Sequence, residues 1–236
     1  MKTRLDKSSW LLTRPAAHRG LHGNGVSENS LKAFSLAVEG NYPIELDLQL
    51  TADDKIVVVH DENLKRLTDT DVDVRDMPYD EIVKLKLSDG QHIPLFDEVL
   101  ELVAGKVPLL TELKQQKREG LESAAISRLS QYKGEFAIQS FDPRMMMKVK
   151  KLAPEVIRGQ LGCGRPENQS ALNTFIIRNL SLNFLVKPDF INYDLGSFPI
   201  KKHVSNGLPV IGWTVRSAAD EEIAKRYCDS YVFERY

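Results

Sequence analysis

A TIM-type (β/α)8 barrel is the fold that this 236-residue sequence predicts. Short apolar runs alternate with longer amphipathic stretches, the pattern of βαβ units around a mostly parallel sheet. Nine runs read as strands: Pro15–Arg19, Ile44–Leu50, Ile56–His60, Val107–Leu113, Phe136–Ser140, Val156–Leu161, Phe190–Asp194, Val210–Val215 and Tyr231–Glu234. Only TADDK separates Leu50 from Ile56. A parallel crossover needs a dozen or more residues, so this pair is an antiparallel hairpin, and eight parallel strands remain. An open doubly wound sheet competes, but no GxGxxG follows a strand. The chain reads as one domain, residues 1–236, with the small hairpin and a short insertion, Asn63–His92, after the second strand.

The helices follow from caps and spacing. Leu31, Phe34, Leu36 and Val38 line one face, with Asn29 or Ser30 as the cap and Gly40 as the stop. PLFDEVLELVAG repeats the design, with Asp97 near its start and Gly105 past its end. RMMMKVKKLAP stops at Pro154, and SAADEEIAKRYC starts from Ser217. Within the insertion, PYDEIVKLKL is a short helical pattern.

Composition narrows the function. The apolar fraction of 42% excludes a disordered chain. Thirty-two basic against 33 acidic residues leave a net charge of −1, so neither nucleic acid nor an anionic membrane is met through global charge. Two cysteines, Cys163 and Cys228, exclude a disulfide scaffold or a Cys-rich zinc module and read as reduced thiols. The N-terminus has no apolar secretory core, and no run is long enough for membrane insertion. The expected compartment is the cytoplasm.

Charge gathers at strand ends, where a parallel barrel carries its active face. His18-Arg19-Gly20 closes the first strand, His60-Asp61 closes the hairpin, and Glu112 and Lys114 end the fourth strand. Glu45 and Asp47 interrupt the second and, two residues apart, point to one face. A turn centred on Asp53-Asp54 puts Asp47 opposite His60, with Cβ atoms about 5 Å apart. Like charges held together repel unless a cation lies between them or one is protonated. Oxygen-seeking Mg²⁺ or Ca²⁺ suits such carboxylates, and Glu112 makes a third ligand. Arg19 offers a planar fork to phosphate oxygens, and Lys114 a point charge. His18 and His60 transfer protons near neutral pH, one to the leaving alkoxide and one from the nucleophile.

The segments AHRGLHGNGVSENSLKAF and IELDLQLTADDKIVVVHDENLKRLT, followed by TELK, QSFD and GWTV, resemble the glycerophosphodiester phosphodiesterases. The resemblance runs from about His18 to about Phe233. It implies a barrel enzyme with a divalent metal on Glu45, Asp47 and Glu112, an acid–base pair His18 and His60, and phosphate contacts from Arg19 and Lys114. It further implies that Trp213 forms an apolar wall against the glycerol or the alcohol. Asn29 and Asp61 are read as supporting these groups from behind. The implied substrate is a small glycerophosphodiester, split to glycerol 3-phosphate and an alcohol. Attack by the neighbouring glycerol hydroxyl through a cyclic phosphate and direct attack by water both remain open.

The family's usual Pro-Glu-Asn-Thr is Ser27-Glu28-Asn29-Ser30 here, its Asp-Gly turn is Asp53-Asp54, and the last strand ends Val232-Phe233-Glu234-Arg235-Tyr236. A phosphodiesterase for larger lipid-derived diesters is one alternative. A barrel that binds metal or phosphate without turnover is another, disfavoured because both histidines are present. Asp69-x-Asp71-x-Asp73 is no EF-hand loop, since Val74 and Asp80 stand where Gly and Glu are needed.

Overall fold

The computed structural model describes residues 2–166 and 169–235. The chain divides into two compact units. One runs from Ala17 to Phe136, and the other comprises the N-terminal segment to Ala16 together with residues from Ala137 to Glu234.

The first unit carries β1 (Ala16–Ala17, of which Ala17 belongs here), α1 (Leu31–Glu39), β2 (Ile44–Leu50), β3 (Ile56–Val58), α2 (Phe96–Val103), β4 (Leu109–Leu113) and α3 (Leu121–Leu129). Ala17 pairs with Ile44, and β2 runs parallel to β4 from Ile44↔Leu109 to Leu48↔Leu113. Strand β3 pairs antiparallel with β2. Ser30 caps α1 by accepting from the Ala33 N–H, and Gly40 ends it. Its buried positions are Ala33, Phe34 and Ala37, so the packed face is narrower than the sequence suggests. Asp97 lies in the first turn of α2, as its place in the sequence predicts, and Glu98 beside it accepts from the Leu95 N–H at 2.8 Å.

The insertion is packed. Leu64, Val74, Ile82 and Leu87 bury against Val57, Val59 and Ile93. Each such side chain contributes roughly 1.5–3 kcal/mol when fully removed from water, which offsets the cost of ordering the segment. Two short helical pieces, Lys65–Thr68 and Tyr79–Ile82, sit on this core.

The second unit carries β5 (Phe136–Ser140, of which Ala137 onward belongs here), α4 (Pro143–Leu152), β6 (Arg158–Gly162), α5 (Ala171–Asn179), β7 (Phe190–Asp194), β8 (Val210–Val215), α6 (Ala218–Tyr227) and β9 (Ser230–Phe233). Its strands pair in parallel in sequence order, β5 with β6 through to β8 with β9. Three parallel strands in one unit and five in the other give the eight the sequence predicts, with β3 as the added hairpin strand. The N-terminal segment is tied down by Arg4, whose fork meets both Asp189 oxygens at 2.7 and 2.6 Å. Among the described residues no helix is long and apolar enough to cross a membrane.

Candidate active site

Strand β2 supplies two carboxylates on one face, and its parallel register with β4 sets Glu112 beside Asp47. Ligand oxygens of Glu45, Asp47 and Glu112 lie within 4.8 Å of one another, and all three residues are buried. Cations answer only part of this charge. Lys114 Nζ lies 2.8 Å from Glu112 Oε1 and 3.5 Å from Asp47 Oδ1. Arg19 Nε lies 3.4 Å from Asp47 Oδ2, to which Asn29 Nδ2 also donates at 2.8 Å.

The two β2 acids therefore differ. Burial opposes ionisation of both. For Asp47 the charges of Lys114, Arg19 and His60 and the Asn29 hydrogen bond overcome it, holding the carboxyl well below the usual range. Glu45 goes the other way, because burial first, and then Asp47 and Glu112, push its carboxyl well above the usual value. An ionised Glu45 thus calls for a further positive charge at this point. Burial alone would lower the Lys114 ammonium, but Glu112 and Asp47 hold it above its ordinary value.

The turn after β1 explains the His-Arg-Gly run. Arg19 and Gly20 both take positive φ, 52° and 79°, which aims the Arg19 N–H at Glu45 Oε2, 3.1 Å away. His18 Nε2 lies 4.0 Å from the same oxygen. A Cβ on Gly20 would lie 2.8 Å from both the carbonyl carbon and the Cβ of Ala33, at the start of α1. Strain and overpacking therefore combine in Gly20→Ala, which is expected to lower unfolding stability by roughly 2–3 kcal/mol. Urea denaturation with an unchanged midpoint would refute this.

His60 arrives by a different register from the one the sequence predicts. The hairpin pairs Leu48 with Val58 and Leu50 with Ile56, and Val59 donates to the Asp47 carbonyl at 3.0 Å, so Asp47 faces Val59 rather than His60. The cause is the turn. Thr51 N–H bonds the Lys55 carbonyl at 3.0 Å across a loop in which Asp54 takes φ 61°. A three-residue loop with a left-handed third residue replaces the two-residue turn and shifts the register by one. His60 lies beyond the end of β3.

Buried Gln49, next after Glu45 and Asp47 on that face of β2, holds the His60 loop. Its Nε2 donates towards the carbonyls of Val59, His60 and Asp61 at 3.1, 3.1 and 2.8 Å. Asp61 Oδ1 lies 2.7 Å from His60 Nδ1. Hydrogen bonds from His60 and then Arg66 hold the Asp61 carboxyl below its usual range. An ionised carboxylate has no proton to give, so Nδ1 carries it and Nε2 is left open as an acceptor. Arg66 also bonds Glu28, and Glu28 Oε1 accepts from Arg19 Nη1 at 2.7 Å. The sequence reading missed Gln49, Glu28 and Arg66 as site residues. Of the residues it named, His18, Arg19, Asn29, Glu45, Asp47, His60, Asp61, Glu112 and Lys114 fall in the first unit, joined by the contacts above.

A family model described as glycerophosphoryl diester phosphodiesterase matches residues 18–232. The chain belongs to that family. A glycerophosphodiester phosphodiesterase of Caldanaerobacter subterraneus is 35% identical over 221 residues, covering 87% of each chain. Lysophospholipase D GDPD1 of Homo sapiens is 38% identical over 109 residues, covering 40% of this chain and 34% of that one. Among solved structures, an Oleispira antarctica phosphodiesterase in complex with the product sn-glycerol-3-phosphate superposes with a TM-score of 0.78 at 23% identity, covering 94% of this chain and 92% of that one. The fold is the TIM-type barrel of eight parallel strands with helices, with β3 bonded to β2.

In this phosphodiesterase-family chain, three buried carboxylates in mutual reach, one of them hard to ionise as it stands, are a donor set that fits a hard divalent cation. Trp213 belongs to the other unit. It lies on β8, its ring edge-on to Phe141 with centroids 5.6 Å apart.

Proposed function

We propose that residues 1–236 form one phosphodiesterase domain that hydrolyses small glycerophosphodiesters to glycerol 3-phosphate and an alcohol, using His18 and His60 for proton transfer beside a divalent cation. The observation that carries this reading is the trio Glu45, Asp47 and Glu112, brought within 4.8 Å beside His18, Arg19 and Lys114.

Glu45, Asp47 and Glu112 would hold Mg²⁺ or Ca²⁺. When bound, the cation supplies Lewis-acid stabilisation of charge on the phosphoryl oxygens. Arg19 and Lys114 orient the phosphodiester and neutralise its charge, the guanidinium as a fork and the ammonium as a point. His60, with its proton fixed on Nδ1 by Asp61, offers Nε2 to accept the nucleophile's proton. His18 delivers a proton to the departing alkoxide. Asn29 keeps Asp47 aimed by its 2.8 Å hydrogen bond. Cys163 and Cys228 are both free thiols, which fits the proposed cytoplasmic location.

A second substrate class, lysophospholipid-like diesters, is favoured by the match to the human lysophospholipase D over 109 residues. The test is a panel. Metal-stripped protein is given glycerophosphocholine, glycerophosphoethanolamine, glycerophosphoglycerol and a lysophosphatidylcholine, with no ion, Mg²⁺ or Ca²⁺. Ion-dependent release of glycerol 3-phosphate from the small diesters is expected. Cleavage of the lysolipid alone transfers the reading to the second class. Full activity after exhaustive chelation removes the metal from it, and inertness towards every diester removes the hydrolysis.

A further inference from the structure

We propose that Arg66 is a positioning residue for His60, acting through Asp61 and braced by Glu28, and that the insertion after the hairpin exists to deliver it. The proposal rests on the hydrolytic role given above to His60.

The geometry is that of a clasp. Arg66 Nε and Nη2 lie 2.6 and 3.1 Å from the two Asp61 oxygens. Its Nη1 and Nη2 lie 3.0 and 2.7 Å from the two Glu28 oxygens. Grasping two carboxylates at once takes four N–H donors in a rigid plane, which an ammonium with three cannot supply. Asp61 passes the constraint to the imidazole through the 2.7 Å contact with His60 Nδ1. Glu28 is itself anchored by Arg19 Nη1.

An exposed ion pair is worth little, and the Arg66 side chain is 52% exposed. Its partners are not exposed, at 14% for Glu28 and 22% for Asp61. Both carboxyls lie below their usual range with Arg66 among the causes, against the opposing effect of burial. The Lys65–Thr68 turn that carries Arg66 is also held firmly. Leu64, directly before it, is wholly buried in the insertion core, and its N–H bonds the Val72 carbonyl at 2.9 Å. Without the clasp Asp61 keeps its place in the chain but loses the contacts that fix the rotamer of its carboxylate.

Arg66→Gln is expected to lower kcat on glycerophosphocholine by about 10–100-fold, the usual effect of removing a partner that orients a reacting group. KM and the affinity for the added divalent cation, read by calorimetry, are expected to move less than about 3-fold, because neither the carboxylate trio nor Lys114 is touched. Arg66→Lys keeps the charge without the fork and is expected to recover only part of the loss. Glu28→Gln combined with Arg66→Gln is expected to fall no more than about 2-fold below Arg66→Gln alone, the non-additivity of groups acting as a unit.

Imidazole NMR reads the same device without turnover. The wild-type chain is expected to show a downfield His60 Nδ1–H signal, assigned by its absence in His60→Gln, which broadens or moves upfield in Arg66→Gln. Wild-type kcat in Arg66→Gln, a lower melting temperature with the His60 signal unchanged, or a product-like fall in the double variant would each overturn the proposal. If His60→Ala keeps its activity while the NMR change appears, the clasp stands and the reading of the reaction fails.

Discussion

Replacing His60 or His18 by alanine is expected to cost about 10²–10⁴ in kcat, the effect of removing a positioned acid or base, while circular dichroism reports a folded chain. The argument is geometric. His60 is fixed through Nδ1 by ionised Asp61 and through its backbone by buried Gln49, so the loop keeps its shape when the ring is removed. Its side chain is about one-third exposed, and truncation leaves little cavity. His18 is buried, with Nε2 4.0 Å from Glu45 Oε2, so its loss is felt beside the carboxylates. A fall in melting temperature is therefore expected for His18→Ala and scarcely any for His60→Ala. Activity within twofold of wild type in either variant would remove that histidine from the proton-transfer pair. Equal losses in kcat and kcat/KM are expected if each acts only at the transition state.

The sequence exposed these residues because charge is costly inside a strand. Glu45 and Asp47 break an otherwise apolar β2, and the short TADDK link forced the hairpin that reconciled nine strands with eight. The register of that hairpin was not legible, because an aspartate at Asp54 accepts a left-handed backbone that the Asp-Gly expectation assigns to glycine. Gln49 was legible in principle, since it extends the Glu45–Asp47 alternation by one step, but a glutamine in a strand usually reads as a solvated position. Glu28 and Arg66 left no signal of their own. One stands in a run that reads as a helix start and the other in KRLT, and 38 residues separate them. Only packing of the insertion brings them together. Leu31, Leu36 and Val38 are only half-buried for a related reason. Small Ala33 and Ala37 form the close contact of α1, which periodicity of large residues cannot find.

Two conservative substitutions on one strand, Glu45→Gln and Asp47→Asn, are expected to change stability in opposite directions while both lower kcat by at least about 10²-fold, the cost of losing one preorganised electrostatic partner. Folding makes Glu45 harder to ionise, through burial and the neighbouring Asp47 and Glu112. A carboxyl whose folded value is raised binds more protons folded than unfolded, so its ionisation subtracts stability as pH rises above about 4.3, the ordinary glutamate value. At pH 7 in chelator, Glu45→Gln removes that burden, keeps an oxygen for the Arg19 N–H, and is expected to raise the melting temperature by several degrees. Asp47 has the opposite sign. Its lowered folded value, set by Lys114, Arg19, His60 and Asn29 against burial, gives stability that is present above about 3.9 and lost as pH falls through the folded value. At pH 7 Asp47→Asn leaves Lys114 and Arg19 short of an ionised partner and is expected to lower the melting temperature. Adding Mg²⁺ or Ca²⁺ raises the wild-type melting temperature by mass action, and this increment is expected to shrink in both variants because each lacks one of three anionic ligands. Thermal scans with chelator and with excess cation decide the matter. Shifts of the same sign in chelator would overturn the opposite charge states given to the two acids, and full cation increments in both variants would mean that the trio is a structural charge cluster instead of a metal centre.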